Sequence, residues 1–302
     1  MIAQIKQLAI IGPTASGKSD LALKIAKKMN AYILSIDSLS IYKEIDIVSA
    51  KPLHVELQSV PHFGVNVLYP NEYFSVDIFI HLYKNVLEAC QKNAKNLVIV
   101  GGTSFYLKSL LQGLSDIPKI DEEIKMRVKK GLQNLHDSHA LLSALDPLYM
   151  KNINQNDSYR IEKALLIYEA SHKTPTQWFC ENPPKPIIQN LPIFNIEVAR
   201  DVLRERITKR TQKMLSQGLI NEVCALEHKY TREPHAMASI GILEVLEFLD
   251  AKVDKKEMLQ NITTHTCQLA KRQQTFNKTQ FEGLISAPLE ALEEIILKKM
   301  NA

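Results

Sequence analysis

The sequence predicts an α/β fold, a parallel sheet flanked by helices with an all-helical insertion, and three observations carry that reading. Short apolar runs, each closed by a glycine-rich or polar turn, alternate with segments of helical spacing in the first third of the chain. From about residue 115 to 186 strand-like runs vanish while helical periodicity and charge rise. One more apolar run, 192–198 (PIFNIEV), then returns the chain to the sheet.

The first unit opens with a strand over 7–11 (QLAII), a continuous apolar run that stops at Gly12. Helical spacing follows over 20–29, with Leu21, Leu23, Ile25, Ala26 and Met29 at the repeating positions. A second strand over 31–36 (AYILSI) ends where Asp37-Ser38 replaces the apolar run. The third unit places a helix over 76–92, a strand over 97–100, the turn Gly101-Gly102-Thr103 and a helix over 105–111. Strands alternating with helices in this way imply a parallel sheet covered on both faces. Pro118 and the Pro183-Pro184-Lys185-Pro186 stretch punctuate the insertion. Beyond the return strand one long helix is expected over 201–229, with Asp201 as its N-cap and Leu203, Ile207, Met214, Leu215, Ile220, Val223 and Leu226 on its buried side. Further helices are expected over 240–249, 255–278 and 289–300. The chain has 302 residues, more than a single core usually organises. The expected division is 1–114 with 187–302 as the core and 115–186 as a helical insertion domain.

A composition of 45% hydrophobic and 23% charged residues excludes intrinsic disorder, a collagen-like repeat and a disulfide scaffold. Lys and Arg number 37 against 33 Asp and Glu, a net charge of +4 that implies nucleic-acid binding only where it is clustered. Cys90, Cys180, Cys224 and Cys267 are scattered without a CxxC pair and read as four reduced, mostly structural thiols. His228 follows Cys224 by four residues, but two ligands do not make a metal site. The apolar run at the N-terminus stops at Gly12 with no small-residue cleavage site behind it, and no stretch approaches the roughly 18 apolar residues of a membrane span. A cytoplasmic protein without membrane contact is the expectation.

Gly12-Pro13-Thr14-Ala15-Ser16-Gly17-Lys18-Ser19 matches GxxxxGK[ST] in full, directly after an apolar strand and directly before a helix. In a phosphate-binding P-loop the glycines let the backbone wrap an anion and the N–H groups at the helix N-terminus face it. Lys18 adds positive charge, and the Ser19 hydroxyl can hold Mg²⁺. The fold class is therefore a P-loop parallel sheet flanked by helices. The loop alone leaves both a nucleotide such as ATP and another diphosphate open. An NTPase pairs it with a carboxylate at a strand end, yet the strand over 97–100 ends in Gly101-Gly102-Thr103. In this topology the acid nearest the loop at a strand end is Asp37, at the carboxyl end of the second strand, where ligands bind in open α/β sheets. It suits a general base or metal partner, with an N-cap or turn Asp as the competing reading, since Asp-Ser is also ordinary turn chemistry.

These residues resemble one family, the tRNA dimethylallyltransferases, also called tRNA isopentenyltransferases. The resemblance rests on the loop with Ile36-Asp37-Ser38, Ile41-Tyr42-Lys43, Asp46-Ile47, Ala50-Lys51-Pro52, Pro61-His62 and Tyr73-Phe74-Ser75. It continues through Val100-Gly101-Gly102-Thr103 with Tyr106, Asp146-Pro147, Asn156-Asp157 with Arg160, and Gln268-Leu269-Ala270-Lys271-Arg272-Gln273. The resemblance implies transfer of a dimethylallyl group from dimethylallyl diphosphate to N6 of the adenosine just 3′ of the anticodon, adenosine 37. It implies that the loop holds this diphosphate, with Mg²⁺ as cofactor and a tRNA anticodon stem-loop as partner, in an enzyme expected to be monomeric. By the same resemblance Asp37 is the general base, Thr14 contacts the bridging oxygen, and Lys18 and Ser19 contact the diphosphate and the metal. Asp37, Ser38, Leu39 and Ser40, together with Thr103 and the stretch around Arg160, correspond to tRNA contacts.

Such chemistry suits these residue types. The exocyclic amine of adenine is a poor nucleophile whose proton must leave as the C–N bond forms, which a positioned carboxylate accepts. Charge developing on the leaving diphosphate meets the loop's N–H donors and Lys18. The base must leave the stack, which is easier from a single-stranded loop. Tyr42, Phe74 and Tyr106 are candidates for stacking around it and equally for core packing.

Phosphate contacts need a local excess of cations. The 200–213 segment supplies Arg200, Arg204, Arg206, Lys209, Arg210 and Lys213 against Asp201 and Glu205, while Lys271, Arg272 and Lys278 form a second cluster. A solvated helix face is the competing reading. The insertion adds Lys125, Arg127, Lys129, Lys130, Lys163 and Lys173 and resembles the family's small domain that closes on the anticodon stem. The chain departs from the family at Ala238-Ser239-Ile240-Gly241-Ile242-Leu243-Glu244, where a polar surface expected to face tRNA becomes apolar, and at Cys267 and Phe276, where Arg and Trp are usual. No Cys/His zinc-finger extension follows, so a bacterial-type enzyme is expected. The rival readings are a small-molecule or nucleotide kinase and a non-catalytic nucleotide-sensing RNA-binding protein; both keep the loop and leave the later motifs unused.

Overall fold

The computed structural model describes residues 5–301, so residues 1–4 of the N-terminal apolar run lie outside the described residues. β1 (Gln7–Ile11), β2 (Ala31–Ser35), β3 (His62–Phe63), β4 (Asn96–Gly101), β5 (Ile193–Glu197) and β6 (Ile285–Pro288) form one sheet in the order β3-β2-β4-β1-β5-β6. Every neighbouring pair is parallel. The strands are apolar on both faces because helices cover both. One face carries Leu8, Ile10, Ile33, Val98, Val100, Phe194 and Ile196, packed with Leu21 and Ile25 of α1 (Lys18–Lys28) and Leu292 and Ile296 of α14 (Leu289–Asn301). The alternate residues Ala9, Ile11, Leu34, Leu97 and Ile99 are buried as well. Each such Val, Leu, Ile or Phe side chain contributes about 1.5–3 kcal/mol by leaving water.

The chain leaves β1 for β2 on one side and later leaves β4 for β5 on the other. The direction of winding therefore reverses beside β1, and the carboxyl ends of β1, β2 and β4 open there. α2 (His54–Ser59), α3 (Val76–Lys92) and α4 (Ser104–Gln112) complete the first half. Ser75 caps α3 by accepting from the Ile78 N–H at 3.3 Å.

The expected helix over 201–229 is two helices, α10 (Arg200–Ser216) and α11 (Leu219–Tyr230). The break falls at Gly218, whose φ of 101° lies in a region that glycine alone adopts without strain. Apolar spacing continues across the break, which is why periodicity did not register it. Asp201 is not the N-cap; Ala199 holds that position and Asp201 lies in the first turn, where its charge still complements the helix dipole. α12 (Ile242–Leu249) and α13 (Lys255–Gln280) follow. β3, β6 and α2 were not expected: β3 has two residues, β6 contains a proline, and α2 buries no residue.

By its contacts the chain divides into Leu111–Ile187 and the remainder. The smaller unit contains α5 (Glu122–Gly131), α6 (Leu135–Leu145), α7 (Pro147–Met150), α8 (Ser158–Ser171) and α9 (Pro175–Glu181). Its core gathers Ile124, Val128, Leu142, Met150, Ile161 and Leu165. Asp146 is its polar keystone. The carboxylate caps α7 through the Tyr149 N–H (3.0 Å) and takes the Thr176 N–H (2.7 Å) and hydroxyl (2.8 Å) from α9. Pro147 occupies the first helical position, where no N–H is needed. Asp157 caps α8 in the same way. Among the described residues no helix is long and apolar enough to cross a membrane.

Candidate active site

The loop over 12–17 carries the chain from β1 into α1. Gly17 precedes α1 with φ 87°, and a side chain there would also strike Leu289. Lys18 Nζ donates to Pro13 O at 3.1 Å, folding back over the loop. Burial pulls the Lys18 ammonium down to about 8; the Asp37 carboxylate opposes that shift and the Arg210 guanidinium adds to it. Two cations thus share one enclosure. An anion bound between them relieves their repulsion.

Asp37 stands at the end of β2, where its Oδ1 accepts the Leu39 and Ser40 N–H groups at 2.9 and 3.1 Å. That is a turn built by the carboxylate itself, so the turn reading is correct for one oxygen. Oδ2 takes no hydrogen bond among the described residues, and Asp37 belongs to the wall of the site. Ser38 N–H donates to Thr103 Oγ1 (3.2 Å) and Thr103 N–H to Ile36 O (3.1 Å), which ties the ends of β2 and β4 together. Ser40 is buried, its hydroxyl 3.2 Å from that of Ser35, whereas Ser38 is exposed and Leu39 partly so.

Two cavities meet at these residues. The larger, about 420 Å³, is walled by Ser38, Leu39, Thr103, Ser239, Ile240 and Leu269; the smaller, about 80 Å³, by Ser19, Ser35, Ser40, Lys51 and His62. Thr14, Lys18, Asp37, Ser49 and Arg210 line both. His62 Nδ1 faces Val60 O at 2.7 Å, and burial lowers the ring's pKa, which favours the neutral ring with Nε2 unprotonated. The Ser19 hydroxyl is a hard oxygen donor at the rim of the smaller cavity, the donor type Mg²⁺ takes. No group of three His, Cys, Asp or Glu able to hold a metal occurs among the described residues. A metal here would be completed by ligand phosphate and water.

Two side chains are central that the sequence placed elsewhere or left without a role. Arg210, grouped by sequence with the exposed cations of α10, turns inward instead. Its Nη1 donates to Thr14 Oγ1 (3.2 Å) and its Nη2 to Ser49 O (3.4 Å), and burial lowers its pKa against the pull of Asp37. It shares the helix phase of Ile207, Thr211 and Met214, all buried, which is the signal that separates it from its neighbours. Gln273 on α13 accepts the Thr14 N–H at 2.8 Å and donates to Gly102 O at 3.1 Å, bridging the loop and the end of β4.

Other expected residues lie further out. Arg204 and Lys271 face a groove of about 540 Å³ between α10 and α13, with Arg200 and Asp201. Lys209 and Arg272 are exposed, and Lys209 pairs with Glu205 at 2.6 Å. In the smaller unit Lys125 pairs with Glu122 and Arg160 with Asp157, while Lys163 lies 5.4 Å from the Tyr159 ring centre. Tyr42 is buried in the core, and Tyr106 stacks on Phe79 and meets Phe74 edge-on; none of the three lines the cavities. Ile242 is likewise buried in the core, Leu243 is exposed, and Ala238 reaches the larger cavity, so the apolar change is only partly a surface change. Of the thiols only Cys90 is buried; Cys180 and Cys224 are exposed and Cys267 partly so, which corrects the structural reading of the set.

The sequence model of the IPP transferase family matches residues 40–280. A tRNA dimethylallyltransferase from Sulfurimonas denitrificans is 64% identical over 294 residues, covering 97% of this chain and 99% of its own. One from Helicobacter pylori is 38% identical over 293 residues, covering 97% and 93%. Among solved structures, the crystal structure of a tRNA delta(2)-isopentenylpyrophosphate transferase from Staphylococcus epidermidis matches with a TM-score of 0.71 at 28% identity, covering 99% of each chain. A eukaryotic dimethylallyltransferase acting on tRNA shares the fold with a TM-score of 0.82 at 24% identity, covering 98% of this chain and 77% of that one.

Proposed function

Since the chain belongs to the IPP transferase family, we propose that it transfers a dimethylallyl group from dimethylallyl diphosphate to N6 of adenosine 37, just 3′ of the anticodon in tRNA. The observation that carries this reading is the shared wall of the two cavities, where a carboxylate and two cations stand together. The smaller, polar cavity suits the diphosphate and the larger suits the adenine. The reacting carbon then lies between them, beside Asp37.

In the step itself N6 bonds to C1 of the dimethylallyl group as the C1–O bond breaks, and the electron pair of that bond goes to the bridging oxygen of diphosphate. The N6 proton passes to Asp37 Oδ2, the oxygen not engaged in the turn. Lys18, Arg210 and the loop N–H groups receive the charge that develops on the leaving group. Arg210 already donates to Thr14 Oγ1, so the Thr14 hydroxyl directs its own hydrogen elsewhere, and the bridging oxygen is the acceptor we assign to it. Ser19 would hold Mg²⁺, which would supply further charge neutralisation to the diphosphate. Ser38 and Thr103 flank the adenine side; Arg204, Lys271 and Arg272 are offered to tRNA phosphates, and the Leu111–Ile187 unit contributes Lys125, Arg160 and Lys163.

The test is a transfer assay with Mg²⁺, labelled dimethylallyl diphosphate and unmodified tRNA carrying A36 and A37, followed by nucleoside mass analysis. Label on adenosine N6 without ATP is the expected result. No label on this tRNA or on total tRNA, with ATP consumed instead, overturns the reading in favour of a kinase.

A further inference from the structure

We propose that Glu222 is a positioning residue for this reaction, holding the 45–51 loop in the shape that lets Ser49 anchor Arg210; the proposal rests on the reading of the site given above. Glu222 lines neither cavity. It acts through backbone: its Oε2 accepts the N–H groups of Asp46 (2.9 Å) and Ile47 (2.7 Å), and its Oε1 that of Val48 (2.9 Å). Three successive amides close on one carboxylate, each a charge-assisted bond.

The loop needs such a hold. Glu44, just before it, and Ala50, within it, have φ of 65° and 46°, a region L-residues enter at a cost of roughly 1 kcal/mol or more each. What the loop delivers is specific. Ser49 O accepts from Arg210 Nη2, and Arg210 Nη1 donates to Thr14. Lys51, also on the wall of the smaller cavity, is fixed by Tyr42 O (2.6 Å), Asp46 Oδ1 (2.7 Å) and Asn66 Oδ1 (2.6 Å). The chain Glu222, loop, Ser49, Arg210, Thr14 therefore links α11 to the P-loop. The break at Gly218 starts α11 three residues before Glu222 and sets its direction independently of α10, which carries Arg210.

The experiment compares Glu222→Ala, Glu222→Gln and the unaltered chain by calorimetric titration with inorganic pyrophosphate and by steady-state transfer kinetics. Glu222→Ala is expected to weaken pyrophosphate binding and raise KM for dimethylallyl diphosphate by about tenfold or more, with a smaller fall in kcat. Glu222→Gln keeps an oxygen for Asp46 and Ile47 but faces Val48 with a donor, so an intermediate loss is expected. A folded variant of either kind with unchanged pyrophosphate affinity overturns the proposal, as does a fall in kcat that only tracks the folded fraction at unchanged KM. Should Glu222→Ala fail to fold, Glu222→Gln decides by the same criteria. Failure of the unaltered chain to transfer the dimethylallyl group strikes the functional reading instead, while pyrophosphate titration still reports on Glu222.

Discussion

Arg210 and Thr14, 196 residues apart, meet with Nη1 3.2 Å from Oγ1, and that contact joins α10 to the P-loop at the point where the two cavities touch. A guanidinium held there, its charge enclosed and opposed by Lys18, is a receptor for an anion. Arg210→Ala is expected to raise KM for dimethylallyl diphosphate roughly ten- to a hundredfold, the loss of a charged hydrogen-bond donor, with tRNA affinity changed far less. Lysine offers one nitrogen where Arg210 uses two to reach Thr14 and Ser49, so Arg210→Lys should recover only part. Steady-state kinetics with each substrate varied in turn decide the matter.

Asp37 has two oxygens with two tasks, and a conservative substitution separates them. Asn in place of Asp37 keeps an acceptor for the Leu39 and Ser40 N–H groups and removes the basic oxygen. Asp37→Asn is expected to retain pyrophosphate and tRNA binding while turnover falls by about 10²–10⁴. Single-turnover transfer at saturating substrates measures the loss. Unchanged turnover removes Asp37 from the role of base.

The Lys18 ammonium, brought down to about 8 by burial, makes diphosphate binding depend on pH. An anion beside Lys18 favours its protonated form and so raises its pKa, which means that above about pH 8 binding must take up a proton. KM for dimethylallyl diphosphate should stay flat below that pH and rise above it. Calorimetric titration in buffers of different ionisation enthalpy detects the proton taken up at alkaline pH.

Asp146 ties α7 to α9 in the smaller unit. Burial alone would raise its pKa, but the N–H groups of Thr176 and Tyr149 and the Thr176 hydroxyl outweigh this and hold the carboxyl below its ordinary value. The unfolded chain therefore binds this proton more tightly than the native one. The stabilisation is present at neutral pH and is lost as pH falls through the acidic carboxylate range. Asp146→Ala is expected to cost about 2–3 kcal/mol, read as a shift in the urea midpoint.

Arg204 and Lys271 line one groove, whereas Lys209 is already paired with Glu205. Replacing Arg204 and Lys271 with Ala should weaken tRNA binding at every sequence and lower the slope of log K against log salt by roughly 0.7–0.9 per cation. Lys209→Ala should do less. Filter binding across a salt series gives the slopes.

Sheet strands, loop and flanking helices were legible because each is a local pattern: apolar runs for β1, β2, β4 and β5, helical spacing for α1, α3 and α13, and a contiguous GxxxxGK[ST] between β1 and α1. The order of motifs from the loop to Gln273 also pointed to the family. What the sequence by itself determined, then, was the fold class, the loop and the acid at the end of β2. Tertiary structure alone decided which way Arg210 turns, that Gln273 bridges Thr14 and Gly102, that Gly218 divides one helical run, and that Glu222 grips the 45–51 loop. The reason is physical. A helix's period says which residues share a face, but only its packing against other elements says which face meets a ligand, and the partners of Arg210, Gln273 and Glu222 lie 161 to 259 residues away in sequence.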